Sequence, residues 1–434
     1  MKKALKTLLA AAIIMIIAVC TVSANDEADA HTDLLESLGI IDGSDRYRDG
    51  ITTRAEFVTY ILRLANIGAA PNAAEPEFTD VAKSHWAYGE ISSAYAMGLI
   101  CEKENGRFYP DSPVEAADAA RMLLCAVGYT DYVKGMSDVN VMRLAESVKL
   151  FANASKSTGM PLERGDILEI LFNALSIDMP YLQGVTADGT PKYYLQSGKN
   201  ILSERFGVYY TEGVVTADDN SVITGEAARA GGIAIDGTPY DGALSNAEDY
   251  VGYNVGCYWL DHDLSREIVT VFEKKNTVYE FSFADTEYTG TAFCEVTGTK
   301  RLNLRINAKT TILINGCVVR DSSQINASLA DYAGTVKMID NDRDGVYDIV
   351  ILKRYVNIYI ASYDDVDMVL SGKNGESFEL DGYDDVVLKD SYLDNMDMSL
   401  LAVDSVLSVY TVSYTHLEYS FPIMIFMRRL PIRR

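Results

Sequence analysis

Residues 78–124, FTDVAKSHWAYGEISSAYAMGLICEKENGRFYPDSPVEAADAARMLL, decide the fold of the first third of the chain. The apolar residues of this stretch recur at the spacing of one helix face up to Gly98, which predicts a left-handed helix end. A turn follows, and residues 112–115 predict a second helix start with Ser112 as N-cap and Pro113 in the first turn. The stretch therefore predicts a helix-loop-helix unit.

Two other segments predict similar helix starts. Residues 53–56, Thr-Arg-Ala-Glu, place Thr53 and Glu56 at the spacing of a capping box. Residues 163–166, Glu-Arg-Gly-Asp, precede a third apolar stripe, and residues 31–39 could supply the missing first helix of the first copy. A helix pair this short cannot bury its apolar face alone, so we expect three repeats that pack on one another.

These motifs resemble the S-layer homology family. Its pattern F-x-D-V, H-W-A, G-L-I, G-x-F-x-P-D is found within residues 78–124, and T-R-A-E is intact within residues 51–64. Residues 132–177 carry a divergent third copy. The resemblance implies an all-α module of three helix-loop-helix repeats with pseudo-threefold symmetry. It also implies non-covalent binding of secondary cell-wall polysaccharide, often pyruvylated, in grooves between the repeats.

The resemblance further implies that the arginine of T-R-A-E and a tryptophan contact the glycan. A guanidinium matches the carboxylate of an acidic sugar, and an indole face can cover a sugar ring. We expect Arg54 to be exposed in the first turn of its helix, where a cation opposes the helix dipole. The expected glycan-binding residues are Arg54, Thr53, Glu56, Trp86, Asp80 and Arg164.

Structural roles remain open for several of these residues. Thr53 and Glu56 could act only as helix caps, Trp86 could pack in the core, and His85 could be a hydrogen-bonding residue at a helix start. The middle copy reads Glu-Ala-Ala-Asp at residues 115–118 and so lacks the arginine. We therefore expect at most two competent grooves.

From about residue 200 the pattern changes to short alternating runs such as Phe206–Val215, which predict β-strands. An internal repeat of about 80 residues is visible, because Ile235-Asp236-Gly237 matches Ile314-Asn315-Gly316 and a third unit opens at Leu380-Asp381-Gly382. The fold class predicted for the chain is thus multidomain, an all-α module followed by all-β tandem modules.

One acidic loop has the composition of a cation site. Alternating carboxylates followed by Gly345 can curl oxygen atoms around Ca²⁺, but a strand residue stands where an EF-hand has glutamate. The alternative is an acidic β-turn without an ion. The candidate ligands are Asp340, Asp342, Asp344 and Asp348.

The two ends of the chain differ from the rest. Three lysines, an apolar run and a small-residue site predict a signal peptide at the start. The arginine-rich end predicts a truncated or frame-shifted tail. The predicted segments are signal peptide 1–24, partial repeat 25–68, repeat 76–130, divergent repeat 131–179, linker 180–200, β-modules 201–285 and 286–370, truncated module 371–412 and non-native tail 413–434.

Composition limits the function. The 434 residues carry a net charge of −24, which argues against binding to nucleic acid or anionic lipid. Only four histidines are present and no catalytic motif stands out, and the cysteines left after the signal peptide suit buried thiols. We expect a secreted, non-catalytic protein of the cell surface, with structural or adhesive β-modules that could self-associate and no membrane span in its mature form. The alternative is an anchored carbohydrate hydrolase.

Overall fold

A computed structural model describes residues 24–67, 78–101, 106–155, 160–186, 191–244, 246–262, 265–297, 300–373, 375–382, 386–389, 395–401, 403, 405–411 and 423–428. The predicted signal peptide lies outside these residues except for its last position. The chain divides into a helical unit, Ala24–Thr211 with Cys257–Phe272, and a β unit, which contains Glu212–Gly256 and the described residues from Glu273 onward.

The helical unit contains seven helices among its described residues. They are α1 (Ala24–Ser37), α2 (Arg54–Leu64), α3 (Tyr88–Ala96), α4 (Ala116–Val127), α5 (Thr130–Val133), α6 (Asp138–Ser147) and α7 (Arg164–Leu175). Their apolar faces bury one core in which large side chains such as Phe57, Ile91 and Phe108 are fully enclosed. The helix predicted within residues 31–39 is α1. Gly98 adopts φ +69°, which confirms the predicted left-handed end after α3.

Three extended segments, one from each repeat, pair with one another. Residues 51–53, 113–115 and 161–163 each stand just before α2, α4 and α7, and each segment pairs with both of the others. The antiparallel bridges are Ile51 with Glu163, Thr53 with Pro113, and Glu115 with Pro161. The predicted helix start at Ser112 is therefore wrong: residues 113–115 are extended because they pair with the other segments, and α4 begins at Ala116.

A β-hairpin stands where we predicted the linker 180–200. Strands β1 (Pro180–Val185) and β2 (Pro191–Leu195) pair in antiparallel register, with Tyr181 opposite Tyr194. The prediction missed the hairpin because the Pro and Gly residues of the segment indicate a linker, although its tyrosines favour strands. The helical unit is thus not all-α, since it also contains the Cys257–Phe272 hairpin segment.

The β-strands that follow the β1–β2 hairpin start at residue 208. Three of them contain residues of both units, and the others belong to the β unit. These strands, numbered along the chain, are β3 (Val208–Ala217), β4 (Ile233–Ile235), β5 (Thr238–Tyr240), β6 (Asn254–His262), β7 (Ser265–Glu273), β8 (Thr277–Ser282), β9 (Thr286–Tyr288), β10 (Ala292–Thr297), β11 (Lys300–Arg305), β12 (Thr311–Ile314), β13 (Cys317–Val319), β14 (Ala333–Asp340), β15 (Ile349–Asp364), β16 (Val369–Gly372), β17 (Ser377–Glu379), β18 (Val386–Lys389), β19 (Asn395–Met396), β20 (Val406–Thr411) and β21 (Ile423–Arg428). Two short helices accompany them, α8 (Ala247–Tyr250) and α9 (Ser322–Asp331).

The internal repeat is visible in the hairpin turns. Asp236-Gly237 and Asn315-Gly316 both have positive φ at each position, between 46° and 81°, and join β4 to β5 and β12 to β13. This geometry is that of a type I′ turn, which Asp-Gly and Asn-Gly favour. Residues 380–382, where a third unit is predicted to open, form a 3₁₀ turn instead of a hairpin turn.

Two sheets of the β unit share one strand order. The first runs β13-β12-β15-β14-β8 with β12 parallel to β15, and the second runs β19-β18-β21-β20-β15 with β18 parallel to β21. Strand β15 is long enough to belong to both. Strand β21 lies inside the predicted tail 413–434.

Candidate functional site

Arg54 occupies the first turn of α2 and is buried, with 2% of its surface exposed. Its Nε donates to the carbonyl oxygen of Phe108 at 2.8 Å, Nη1 donates to the carboxylate of Asp118, and the guanidinium lies 4.6 Å from the Phe108 ring centroid. Burial lowers the pKa of Arg54, and the charge of Asp118 opposes that change. The expectation that Arg54 is exposed is wrong, because pairing of the extended segments turns this side chain toward α4.

Thr53 and Glu56 form the predicted capping box. The Thr53 hydroxyl accepts from the backbone N–H of Glu56 at 3.2 Å, and the Glu56 carboxylate accepts from the backbone N–H of Thr53 at 2.7 Å. The structural role proposed for both residues is confirmed. A glycan contact from either residue stays a prediction.

Asp80 holds the turn that precedes α4. Its two carboxylate oxygens accept the backbone N–H groups of Phe108 and Tyr109 at 2.9 and 2.8 Å. Tyr109 has φ +58°, a conformation that is costly for a side chain of this size unless the surroundings fix it. Arg54 binds the Phe108 carbonyl of the same turn, so the structure brings two predicted glycan ligands together as supports of a loop.

Trp86 is 61% exposed at the start of α3, so the alternative that it packs in the core is wrong. Its ring lies 5.8 Å from that of His85. His85 accepts the backbone N–H of Ala87 at Nδ1, at 3.1 Å, and its Nε2 lies 3.3 Å from a carboxylate oxygen of Asp111. These contacts confirm the structural role of His85 and fix the ring beside the open indole.

Arg164 has different surroundings from Arg54. It begins α7, is half-buried, and its backbone N–H donates to Gly50 at 2.9 Å, but its buried Nε has no hydrogen-bond partner. Tyr60 lies close by: burial raises the pKa of this phenol, Asp45 adds to the effect, and the charge of Arg164 opposes it. A guanidinium with an unsatisfied buried N–H can donate a hydrogen bond to an anionic partner.

A buried charge network that the sequence analysis missed joins α1 to α7. Glu169, 5% exposed, accepts from Arg48 at one oxygen and lies 3.1 Å from Nδ1 of His31 at the other. The His31 ring stacks on Phe172 with centroids 3.5 Å apart. A signal existed in the sequence, since a glutamate in an apolar helix stripe needs a buried partner.

The acidic loop between β14 and β15 brings three of its four predicted ligands together. Carboxylate oxygens of Asp340, Asp342 and Asp348 lie within 4.8 Å of one another, and Asp344 is not in this group. Asp340 accepts the N–H groups of Arg343 and Gly345 at 2.6 and 3.0 Å. Burial raises the pKa of Asp348, and the neighbouring carboxylates raise it further. The loop therefore has both the hydrogen bonds of a tight turn and the cluster of carboxylate oxygens that a cation site needs.

Three of the cysteines meet the expectation of buried thiols, namely Cys125, Cys257 and Cys294. Burial raises the pKa of Cys125 to about 11 and that of Cys257 to about 12, so both are thiols at neutral pH. Cys101 departs from the expectation because it is exposed.

The β unit contains a small, partly open cleft. Its charged lining consists of Glu248, Glu280, Lys337 and Lys353, and Nζ of Lys353 lies 3.8 Å from the carboxylate of Glu248. On the neighbouring strands Lys337 stands opposite Glu280. Each glutamate thus has a lysine neighbour, whereas a glycosidase needs one carboxyl group kept protonated away from cations.

Comparison with known proteins finds a family match within the helical unit. Residues 77–120 match the model of the S-layer homology domain, and this segment contains Asp80, Trp86 and the turn that Arg54 supports. The chain carries an S-layer homology domain. Within the matched segment, Asp80 and His85 accept backbone N–H groups, and Gly98 ends α3 in the left-handed conformation.

Similar proteins are found at bacterial surfaces. The chain is 28% identical over 257 residues to a cell surface protein of Thermoanaerobacter kivui, covering 57% of this chain and 32% of that protein. It is also 28% identical over 195 residues to the middle cell wall protein of Brevibacillus brevis, covering 41% of this chain and 18% of the relative. An endoglucanase of Bacillus sp. matches over 79 residues at 32% identity, covering 18% of this chain and 8% of the enzyme.

The S-layer homology domain and these relatives identify a secreted, cell-wall-associated surface protein. The chain spans about a third of the length of the first relative and less than a fifth of the second. Among the described residues, every helix is too short or too polar to cross a membrane.

Proposed function

We propose that the helical unit anchors this protein non-covalently to an acidic polysaccharide of the cell wall, of the secondary, pyruvylated type. We further propose that the three repeats are arranged with pseudo-threefold symmetry around the paired segments 51–53, 113–115 and 161–163. In this arrangement the starts of α2 and α7 donate backbone hydrogen bonds to the loop of another repeat. Arg54 and Ala55 donate to Ser112 and Pro110, and Arg164 and Gly165 donate in the same way to Gly50 and Arg48.

The observation that carries the proposal is the contrast between the two arginines. Arg54 has its guanidinium bound to Asp118 and Phe108, whereas Nε of Arg164 is buried without a partner. A carboxylate on a sugar could supply the missing acceptor in a charge-assisted hydrogen bond. We therefore place the main glycan contact at Arg164, with the exposed Trp86 as a separate stacking surface.

We expect Arg164→Ala to weaken co-sedimentation with purified cell walls by about tenfold, because a lost charge-assisted hydrogen bond is worth about 1.5–3 kcal/mol. The matched control is Arg143→Ala, since Arg143 is an exposed arginine of α6 whose polar contact is with Asn140. Circular dichroism confirms folding of both variants. Equal sedimentation of the Arg164→Ala variant and the unaltered chain would contradict the assignment.

We propose a structural or adhesive role for the β unit, with self-association in a surface layer as a further possibility. Repetition of one strand order in two sheets that share β15 gives an extended scaffold. The alternative of an anchored carbohydrate hydrolase has one observation in its favour, the partial similarity to the endoglucanase, which extends over only 8% of that enzyme. The paired charges of the cleft favour the non-catalytic proposal.

We also propose that Asp340, Asp342 and Asp348 bind Ca²⁺. Millimolar Ca²⁺ is expected to raise the melting temperature of the β unit, because an ion that binds only the folded state stabilises it. Asp342→Ala should abolish the shift, and Asp344→Ala should retain it, since both side chains are exposed in the same loop but only Asp342 is in the cluster. If Ca²⁺ does not change the melting temperature, the loop is an acidic turn that binds no ion.

A further inference from the structure

Four aromatic side chains outside the repeats form a partly exposed strip on the helical unit, and we call it the aromatic strip: Tyr181, Tyr194, Tyr209 and Trp259. Tyr181 and Tyr194 face each other across β1 and β2 with ring centroids 5.9 Å apart. Tyr209 lies 5.1 Å from Trp259 on the neighbouring strands β3 and β6. Tyr194 and Tyr209 are 45% and 41% exposed.

The strip is not a part of the core. Successive residues of a strand point to opposite faces, and Tyr258, next to Trp259, packs on Phe172 of α7 at 6.2 Å and on Phe272 at 6.2 Å. The core side of these strands is therefore occupied by Tyr258 and Phe272. Tyr209 and Trp259 stand on the other side of their strands. Together with Tyr181 and Tyr194 they form an accumulation of partly exposed aromatic side chains, which marks an interaction site.

Charged groups lie among the rings. Nζ of Lys199 is 2.8 Å from the carboxylate of Glu204, which also accepts the hydroxyl of Tyr181. The hydrogen bond to Glu204 raises the pKa of Lys199, and Tyr181 and Tyr209 add to this electrostatically, so Lys199 lies close to both phenols. At the other end of the strip the guanidinium of Arg266 lies 5.4 Å from the Trp259 ring centroid.

We propose that the aromatic strip is a second carbohydrate-binding surface that takes an anionic wall glycan. Sugar rings present apolar C–H faces, which suit tyrosine and indole rings, and hydroxyl edges, which suit Lys199, Glu204 and the phenols. The centre of a protein–protein interface is depleted of charged residues, unlike this strip. Lys199 and Arg266 favour an anion in a chain whose net charge of −24 repels one elsewhere.

The choice of a wall glycan as ligand rests on the proposed function. The chain has two tryptophans, one in the repeats and one in the aromatic strip, so binding at these two sites can be measured separately. In a Trp86→Phe variant of the full chain, Trp259 is the only indole and reports on the strip. In a Trp259→Phe variant, Trp86 reports on the repeats. The probe is the acidic polysaccharide released by hydrofluoric acid from the walls of a bacterium with a surface layer, and neutral dextran is the comparison.

We expect a saturable change in Trp259 emission with the acidic polysaccharide and none with dextran. Tyr209→Ala and Arg266→Ala, each added to Trp86→Phe, should raise the Kd by about 3- to 10-fold. Tyr359→Ala is the matched control, because Tyr359 is 42% exposed in the β unit, and it should leave the Kd unchanged.

Three results would overturn the proposal. Emission from Trp259 could stay constant while the polysaccharide changes emission from Trp86, which would leave the proposed function of the repeats intact. Dextran could produce the same change as the acidic polysaccharide, which would remove the assignment to an anion. Emission could change with protein concentration in the absence of glycan, which would make the strip a contact between copies of the chain.

Discussion

Replacement of Arg54 by alanine is expected to destabilise the helical unit by about 3–5 kcal/mol, the cost typical of breaking a buried ion pair from one side. The guanidinium is 98% enclosed and binds Asp118 and the Phe108 carbonyl, so its removal leaves a carboxylate and a carbonyl without their donor. Both groups belong to the middle repeat. The loss should therefore loosen the contact between α2 and α4, which chemical denaturation followed by Trp86 fluorescence would detect in a Trp259→Phe background.

Two further variants separate this role from glycan binding. Arg54→Ala combined with Asp118→Ala should recover part of the lost stability, because the carboxylate that loses its guanidinium partner is removed as well. Arg164→Ala should cost less than about 1 kcal/mol, since its guanidinium is half-buried and Nε has no partner to lose. A fully stable Arg54→Ala variant that fails to bind walls would contradict the structural role and return Arg54 to the glycan site.

The sequence predicted the helical repeats well because their signals are local. Capping residues at Thr53 and Glu56 and a helix end at Gly98 depend on neighbours within a few positions, and all three have the predicted geometry. The error at Ser112 has the opposite cause. Residues 113–115 satisfy the local rule for a helix start, but their backbone pairs with segments that are distant along the chain.

The difference between local signals and contacts distant along the chain also explains why the expected exposure of Arg54 is wrong. The chemistry of Arg54 in T-R-A-E suggested an exposed ligand, and the helix-dipole argument supported this. Neither argument contained Asp118, which lies 64 residues away and compensates the cation. In the middle copy Asp118 occupies the position that Glu56 has in the first copy, but no threonine stands three residues before it to complete a capping box. The sequence could therefore have suggested that Asp118 pairs with Arg54. Trp86 is exposed, which rules out the alternative of core packing, and its contact with a glycan stays a prediction.

A buried carboxylate in the β unit leads to the other large effect, which depends on pH. Asp218 follows β3 and is fully buried, and its Oδ1 accepts the N–H groups of Asn220 and Ser221 while Oδ2 has no partner. Burial raises the pKa of Asp218 to about 7, with Asp219 and Glu248 adding to the shift. An isolated aspartate has a pKa of about 3.9.

The sign of the effect follows from these two values. The folded state holds the Asp218 proton more tightly than the unfolded state, so the protein loses stability as pH rises from about 4 to about 7. The loss amounts to at most about 4 kcal/mol at pH 8. Asparagine is neutral at every pH and keeps the acceptor oxygen. We therefore expect Asp218→Asn to match the unaltered chain near pH 4 and to be more stable by a few kcal/mol at pH 8.

Hydrogen exchange measured by mass spectrometry on peptides that contain β3 would detect this difference in the full chain, because comparing the two proteins at each pH cancels the intrinsic exchange rates. Asp219→Asn is the matched control, since Asp219 is the adjacent, half-buried carboxylate and its replacement should change protection little. Equal destabilisation by Asp218→Asn at pH 5 and pH 8 would mean that the native carboxylate is ionised and satisfied. A gain in protection that grows between about pH 4 and pH 7 and then levels off would instead identify Asp218 as a proton-binding group that weakens the β unit at neutral pH.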